Sequence, residues 1–242
     1  MTRAGDAPQS ADDLGEEDVL ELRSHLTDEQ AENVERYTPH DPSPESHARA
    51  AWNFLAEACW TFDQIEGKKR KFPAHLDYLH ELTNMWCGAR LLLIPKSRRM
   101  LVTWTMCALH YWLARFGHPG AKVALVSRKE GRSESEGSAE LVWRCKFIHD
   151  HVPRNVVDCP TEYTFCRLRF PQTNSEIIGV GQGADQLRQH TLTAIFADEM
   201  AFWESARETY IASRPTIEGG GRFTGVSSAH PGFFKMLVYD EI

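Results

Sequence analysis

The sequence predicts a three-layer α/β domain with a mainly parallel central sheet, a ligand site at the carboxyl ends of its strands and an N-terminal helical extension. Residues Leu192-Thr-Ala-Ile-Phe-Ala-Asp198-Glu199 form an apolar run that ends in two adjacent carboxylates, and continuous apolarity marks a strand covered on both faces, as parallel strands are. Residues 90–116 pass from a short apolar stretch through a basic loop into an apolar segment of helical length, the strand–loop–helix order that parallel pairing requires. The length of 242 residues suits one sizeable domain with about five or six core strands and leaves no room for a second large one.

The N-terminus is set apart by charge. Residues 1–47 hold 13 Asp+Glu against 3 Lys+Arg, which leaves 21 acids and 24 bases for residues 48–242, so the formal net charge of −7 joins an appendage of −10 to a body of +3. Ala7–Asp13 and Pro39–Pro44 are rich in Pro, Asp and Ser and read as loose. Glu16–Leu26 and Thr27–Arg36 are short-helix candidates, the second opened by a Thr27/Gln30 capping box. Next, Glu45–Gln64 spaces Ala48, Ala51, Trp52, Leu55, Ala58, Cys59 and Phe62 as an amphipathic helix packed on the core. Gly67-Lys-Lys-Arg-Lys71 breaks that helix as a basic loop, either solvated or touching a nucleic-acid backbone or a protein partner. A further helix begins at Pro73 within Phe72–Trp86. The organisation expected is therefore an acidic arm over 1–47, a helical lead-in over 48–89 and a core over 90–242.

In the core, Leu91–Ile94 is a strand, Pro95–Arg99 a basic loop and Leu101–Phe116 a helix whose positive amino end and free N–H groups suit an anion. The usual Gly-x-x-x-x-Gly-Lys-Ser/Thr phosphate loop is not met: with Thr103 at the terminal hydroxyl, Leu101 and Val102 occupy the second Gly and the Lys, and Lys96 the first Gly. Phosphate binding needs a cation near the β/γ-phosphates, N–H groups in a nest and a hydroxyl for the metal. Lys96, Arg98, Arg99 and Thr103 supply those parts, with Ser97, Met100, Leu101 and Val102 completing the loop. Arg98 is placed to spread charge over a γ-phosphoryl group. A basic turn at a sheet edge is the alternative, although three cations packed between strand and helix would repel one another without a ligand. At the end of the Leu192–Ala197 run, read as a Walker B strand, Asp198 serves a Mg²⁺ shell and Glu199 an attacking water; the plainer alternative is an acidic first helical turn at Met200.

This loop followed by a Walker B strand resembles the ATPase domain of the large terminase subunit, the DNA-packaging motor of tailed bacteriophages, a P-loop NTPase of the ASCE/RecA-like type. In that family the loop often reads Lys-x-Arg-Gln-x-Gly-x-Ser/Thr; Lys96-Ser97-Arg98-Arg99-Met100-Leu101-Val102-Thr103 is similar, with Arg99 at the Gln and Leu101 at the Gly. Val123-Ala-Leu-Val-Ser127-Arg128 resembles the second strand, followed by a helix around Ser135–His149. Gly179-Val-Gly-Gln-Gly183-Ala-Asp-Gln-Leu187-Arg188 resembles the glycine-spaced segment before Walker B, with Gln189 replacing a Gly; a plain flexible loop is the alternative. Arg222–Gly232 resembles the strand and coupling motif, where Ser227, Ser228 and Ala229 sense the γ-phosphate; a Pro-Gly turn is the alternative. The resemblance spans residues 72–234.

It implies Mg²⁺ held by Thr103 and Asp198, ATP neutralised by Lys96 with Arg98, and water activated by Glu199. Phe72 and Tyr78 fall on the adenine side, where the usual Gln is absent, and Arg144 and Arg188 are candidates for action on a neighbouring subunit. The resemblance further implies double-stranded DNA as the translocated substrate, portal protein and small terminase subunit as partners, a homo-oligomeric ring, and residence in the cytoplasm of the bacterial host with transient docking on a procapsid. Family members usually continue into a ribonuclease H-type nuclease domain, for which no counterpart is expected within these 242 residues. Two other readings stand: a helicase-like nucleic-acid-dependent ATPase, which would need a second ATPase-like domain, and a degenerate nucleotide-binding module without turnover.

The remaining features are structural. Cys59, Cys87, Cys107, Cys145, Cys159 and Cys166 include no Cys-x-x-Cys pair and read as reduced core residues. His149-Asp150-His151 and Cys159 with Cys166 lack a second ligand pair at zinc spacing. No stretch approaches 18 apolar residues and the N-terminus is acidic, so neither a membrane span nor a secretory signal is expected. Tyr163–Phe170 alternates with period two, and with Pro171-Gln-Thr-Asn174 it predicts a hairpin extending the sheet at one edge.

Overall fold

The computed structural model describes residues 27–127, 136–153, 156, 159–183, 187 and 190–239. Ala7–Asp13, Glu16–Leu26, Arg128, Arg188 and Gln189 therefore lie outside the described residues. The protein has an α/β fold around a seven-stranded sheet of order β3-β9-β8-β4-β7-β6-β5. Its strands are β3 (Leu91–Pro95), β4 (Lys122–Val126), β5 (Glu162–Thr164), β6 (Arg167–Phe170), β7 (Ser175–Val180), β8 (Ala194–Asp198) and β9 (Arg222–Ser227). The five from β3 to β7 pair in parallel, and β6 and β5 continue antiparallel at the edge. Both faces of the parallel part are covered. On β4, Val123 and Leu125 enter one apolar core while Ala124 and Val126 enter another, and on β8 Phe196 and Ile195 divide in the same way. This two-sided burial is why these segments read as continuous apolar runs.

On one face lie α1 (Asp28–Tyr37), α2 (Pro44–Glu57), α3 (Asp77–Gly88), α4 (Val102–Trp112) and α5 (Glu136–His151); α6 (Ala206–Glu218) and α7 (Phe233–Val238) serve the other. Helix α4 is buried at every residue except Thr103, as an all-round apolar helix must be. The expected Thr27/Gln30 capping box is present on α1, with both reciprocal bonds made. Tyr37 closes that helix inside the core: its carbonyl accepts the Trp112 indole N–H at 2.8 Å, and its ring meets Phe54 and Phe116 edge-on at 5.8 and 5.9 Å. All six cysteines are free, five of them buried.

Several boundaries differ from the sequence reading. The helix expected over Glu45–Gln64 stops at Glu57, and Trp60–Asp63 forms β1, paired antiparallel with β2 (Lys68–Lys71). The basic segment is thus a strand rather than a loop. Asp63 causes the reversal by accepting the Ile65 and Glu66 N–H groups at 2.9 and 3.2 Å, and Gly67 takes φ 63° at the end of the turn. The helix expected from Pro73 begins at Asp77. The hairpin expected through Pro171–Asn174 is present as β6 paired antiparallel with β7, and the run Tyr163–Phe170 also folds on itself at Phe165-Cys166, adding β5 at the edge. Gly179 belongs to β7 rather than to a loop; a Cβ there would meet the Ser138 carbonyl oxygen at 3.0 Å, so glycine lets α5 approach the strand. After Glu199 the chain makes one 3-10 turn, Met200–Phe202, and α6 starts only at Ala206.

Candidate functional site

The site forms where β3, β8 and β9 end together. Strand β9 lies between the other two, so the residue after β3 and the acids ending β8 face each other across the tip of β9. The Lys96 N–H donates to the Ser227 carbonyl at 2.9 Å, extending the ladder one residue beyond β3. This fixes the lysine stem. Its ammonium group donates to Glu199 Oε1 at 2.8 Å, with the Lys96 side chain 9% exposed and that of Glu199 32%. Glu199 leaves the strand in the left-handed region, φ 52°, which turns its carboxylate back over β9. There the Ser228 N–H donates to Oε2 at 3.3 Å and the Ser228 hydroxyl to Oε1 at 3.4 Å. Burial tends to raise the Glu199 pKa, but the Lys96 hydrogen bond and charge, together with Ser228, outweigh it and hold the carboxyl below its ordinary value.

Asp198 lies deeper, 7% exposed. The Thr103 hydroxyl donates to its Oδ1 at 3.2 Å, and its carbonyl accepts the Trp203 indole N–H at 3.0 Å. Burial raises the Asp198 pKa to about 6, opposed by the charges of Lys96 and Arg144 and by the Thr103 bond, and aided by Glu199. Two cis oxygens of an octahedral Mg²⁺ site with bonds of about 2.05 Å lie roughly 2.9 Å apart. The Thr103–Asp198 pair is close to that separation, and an all-oxygen donor set suits a hard cation.

The loop between β3 and α4 turns by two left-handed residues, Arg99 at φ 64° and Leu101 at φ 54°. Leu101 thus adopts the hand that a glycine would take at its position. Its carbonyl is held by the Thr105 N–H at 2.9 Å and the Thr105 hydroxyl at 3.0 Å, and the Tyr78 hydroxyl donates to the Met100 carbonyl at 3.2 Å. Ser97, Arg98, Arg99 and Met100 are exposed. The three cations are therefore not packed between strand and helix as expected: Lys96 alone is drawn in, and the left-handed turns carry Arg98 and Arg99 outward.

The other expected residues divide. Ser227 is buried, its hydroxyl accepting the Ala201 N–H at 3.0 Å; Ser228 touches Glu199; Ala229 is exposed. Phe72 is a core residue, edge-on to Trp52 at 6.1 Å, whereas Tyr78 borders the loop. Arg144 turns inward: 13% exposed, it donates to Glu140 at 2.6 Å and lies 5.5 Å from the Trp104 ring. Sequence reasoning missed Trp104 and the inward course of Arg144. The spacing Glu140/Arg144 signals a helical ion pair but not its depth.

No protein-family model and no curated protein matches the chain. Among solved structures, the fold is similar to the crystal structure of the HK97 bacteriophage large terminase, with a TM-score of 0.53 and 11% identity over 73% of this chain and 36% of that one. The large terminase ATPase domain of Thermus phage P74-26 matches at TM-scores of 0.44 and 0.40, with 14% and 15% identity over 60% of this chain and 62% of those. At these identities the likeness is one of fold, and it rests on the first. The chain spans about a third of the HK97 protein's length.

Proposed function

We propose that the chain is the ATPase part of a viral DNA-packaging terminase large subunit, hydrolysing ATP to drive double-stranded DNA into a procapsid. The observation that carries this reading is the convergence of Lys96, Thr103, Asp198, Glu199 and Ser228 at the ends of β3, β8 and β9, on a fold shared with a large terminase. Lys96 meets the phosphates from the start of the loop, with Arg98 and Arg99 supplying outer charge and the N–H groups of Ser97 to Val102 the anion nest. Thr103 and Asp198 would hold Mg²⁺, which would supply charge neutralisation to the phosphates when bound. Once the phosphates compete for Lys96, Glu199 is released to orient and accept a proton from the attacking water. Ser228, bonded to Glu199, then passes the state of the site to β9 and the segment from Ala229 onward.

Portal protein, small terminase subunit, a homo-oligomeric ring and transient residence on the procapsid in the host cytoplasm follow from the same reading. Among the described residues no helix is long and apolar enough to cross a membrane. A second reading, nucleotide binding without turnover, is favoured by Leu101 and Val102 at the usual Gly and Lys. The deciding measurement is Mg²⁺-dependent ATP turnover with and without duplex DNA, beside Glu199→Gln and Lys96→Ala. The motor reading expects turnover to fall by about 10² or more in both, with nucleotide binding surviving in Glu199→Gln. Binding without turnover in the unaltered chain would favour the second reading, and no binding at all would overturn the phosphate-loop assignment.

A further inference from the structure

The geometry points to the β1–β2 hairpin as a contact for the phosphate backbone of a double-stranded nucleic acid. Strand β2 presents Lys68, Lys69, Arg70 and Lys71 in succession, and all four are exposed. An extended strand rises about 3.3 Å per residue and alternates its side chains between two faces, so Lys68 with Arg70 and Lys69 with Lys71 each repeat at about 6.6 Å. Each strand of duplex DNA carries one phosphate per about 3.4 Å of axis. The repeat on one face is close to the axial rise of two phosphates on one strand, about 6.8 Å. An acidic protein surface, with carboxylates at irregular spacing, has no such repeat.

The charge is available rather than consumed. Asp63 and Glu66 pair with Arg70 alone, and among the described residues no carboxylate lies within ion-pair distance of Lys68, Lys69 or Lys71. The Lys71 ammonium group donates to the Glu57 carbonyl, a neutral partner that leaves its charge intact. The Lys69 and Lys71 ammonium groups lie 5.0 and 5.5 Å from the Trp60 ring centre, which holds both long side chains over one indole and lowers the entropy lost when they engage a ligand.

The hairpin is also braced. Phe62 meets Trp143 and Phe147 edge-on at 6.2 and 5.7 Å, and the Gln64 amide donates to Glu140 at 3.2 Å. Trp143 in turn lies 6.3 Å from Trp104, the neighbour of Thr103 on α4. A load on the hairpin is therefore borne by side chains that reach the first turn of the phosphate-loop helix. The body over residues 48–242 carries only +3, so a local cationic strip rather than net charge supplies the attraction for a polyanion.

This inference deepens the DNA-handling part of the proposed function, and its test does not depend on hydrolysis. Fluorescence anisotropy with a labelled duplex of arbitrary sequence, at graded salt, compares the full chain with Lys68→Gln/Lys69→Gln and with a charge-matched control, Lys122→Gln/Lys235→Gln, at exposed sites away from the hairpin. The hairpin pair should lower affinity about tenfold at low salt and reduce the slope of log K against log salt by about 2, with unchanged thermal unfolding and nucleotide binding; the control should match the unaltered chain. Equal affinity and slope in the hairpin variant, equal loss in the control, or no duplex binding by the unaltered chain overturns the proposal. Tighter capture of poly-glutamate than of duplex, lost in the same variant, assigns the hairpin to an acidic protein and also overturns it. Duplex binding that fails only in the hairpin variant, beside absent ATP turnover, would sink the motor reading and leave the hairpin standing.

Discussion

Strand β8 and the loop after β3 build the two halves of one site by opposite means. All five residues of β8 are buried, its backbone is regular, and its function sits in the two carboxylates at its tip. The loop is exposed from Ser97 to Met100, and its path depends on left-handed turns at Arg99 and Leu101. Burial dictates side chains, so the role of β8 is written in composition. A loop that presents N–H groups dictates backbone angles instead, and those constrain composition weakly: Leu101 adopts a conformation that costs about 1–2 kcal/mol for a residue with a Cβ, held by the Thr105 bonds to its carbonyl.

The contrast can be pressed first through core volume. Phe196→Ala in β8 should cost about 3–5 kcal/mol in urea unfolding, whereas Met100→Ala in the loop should stay within about 0.5 kcal/mol. A loss at Met100 rivalling that at Phe196 would break the distinction. Within any one pH unit a smaller effect sharpens it. His110 stacks on Phe196 at 5.4 Å, accepts no bond at Nε2 among the described residues, and is pushed by burial from 6.5 to about 3, against the raising influence of its Met106 bond and with help from the Arg222 charge. The unfolded chain takes up this proton near 6.5 and the folded one does not until near 3. Stability present above the first value is therefore lost as pH falls between them, by up to about 1.4 kcal/mol per pH unit. His110→Phe should flatten that slope in unfolding measured across the same range; an unchanged slope would place the acid sensitivity elsewhere. The smallest effect belongs to the loop: Leu101→Gly removes the left-handed strain but frees the unfolded chain, so stability should move by less than about 1 kcal/mol. A larger loss in the same urea experiment would mean that the leucine side chain, rather than the hand of the backbone, holds the turn.

Legibility followed the same division. The parallel strands, the buried helix α4 and the capping box at Thr27 are readable, because each depends on side chains of one character at one spacing. The β1–β2 hairpin is not. Cys59 and Phe62 continue the helical spacing of α2, and only the Asp63 turn and the β-forming Trp60-Thr61-Phe62 argue for reversal. Lys96 reads as a phosphate ligand, and its partner Glu199 is invisible in sequence because the two meet only where β9 lies between β3 and β8. The outward course of Arg98 and Arg99 depends on two positive φ angles at residues that rarely adopt them.

The burial of Tyr37 bears on how the protein can be handled. By charge, the first 47 residues look like a removable acidic tail. Yet a shortened version begun at Ala48 would strip the acceptor from the Trp112 indole and open the rings of Phe54 and Phe116 to water. Trimming intended to tidy the sample would thus bare a greasy aromatic face, and the shortened protein should precipitate where the longer one stays dispersed.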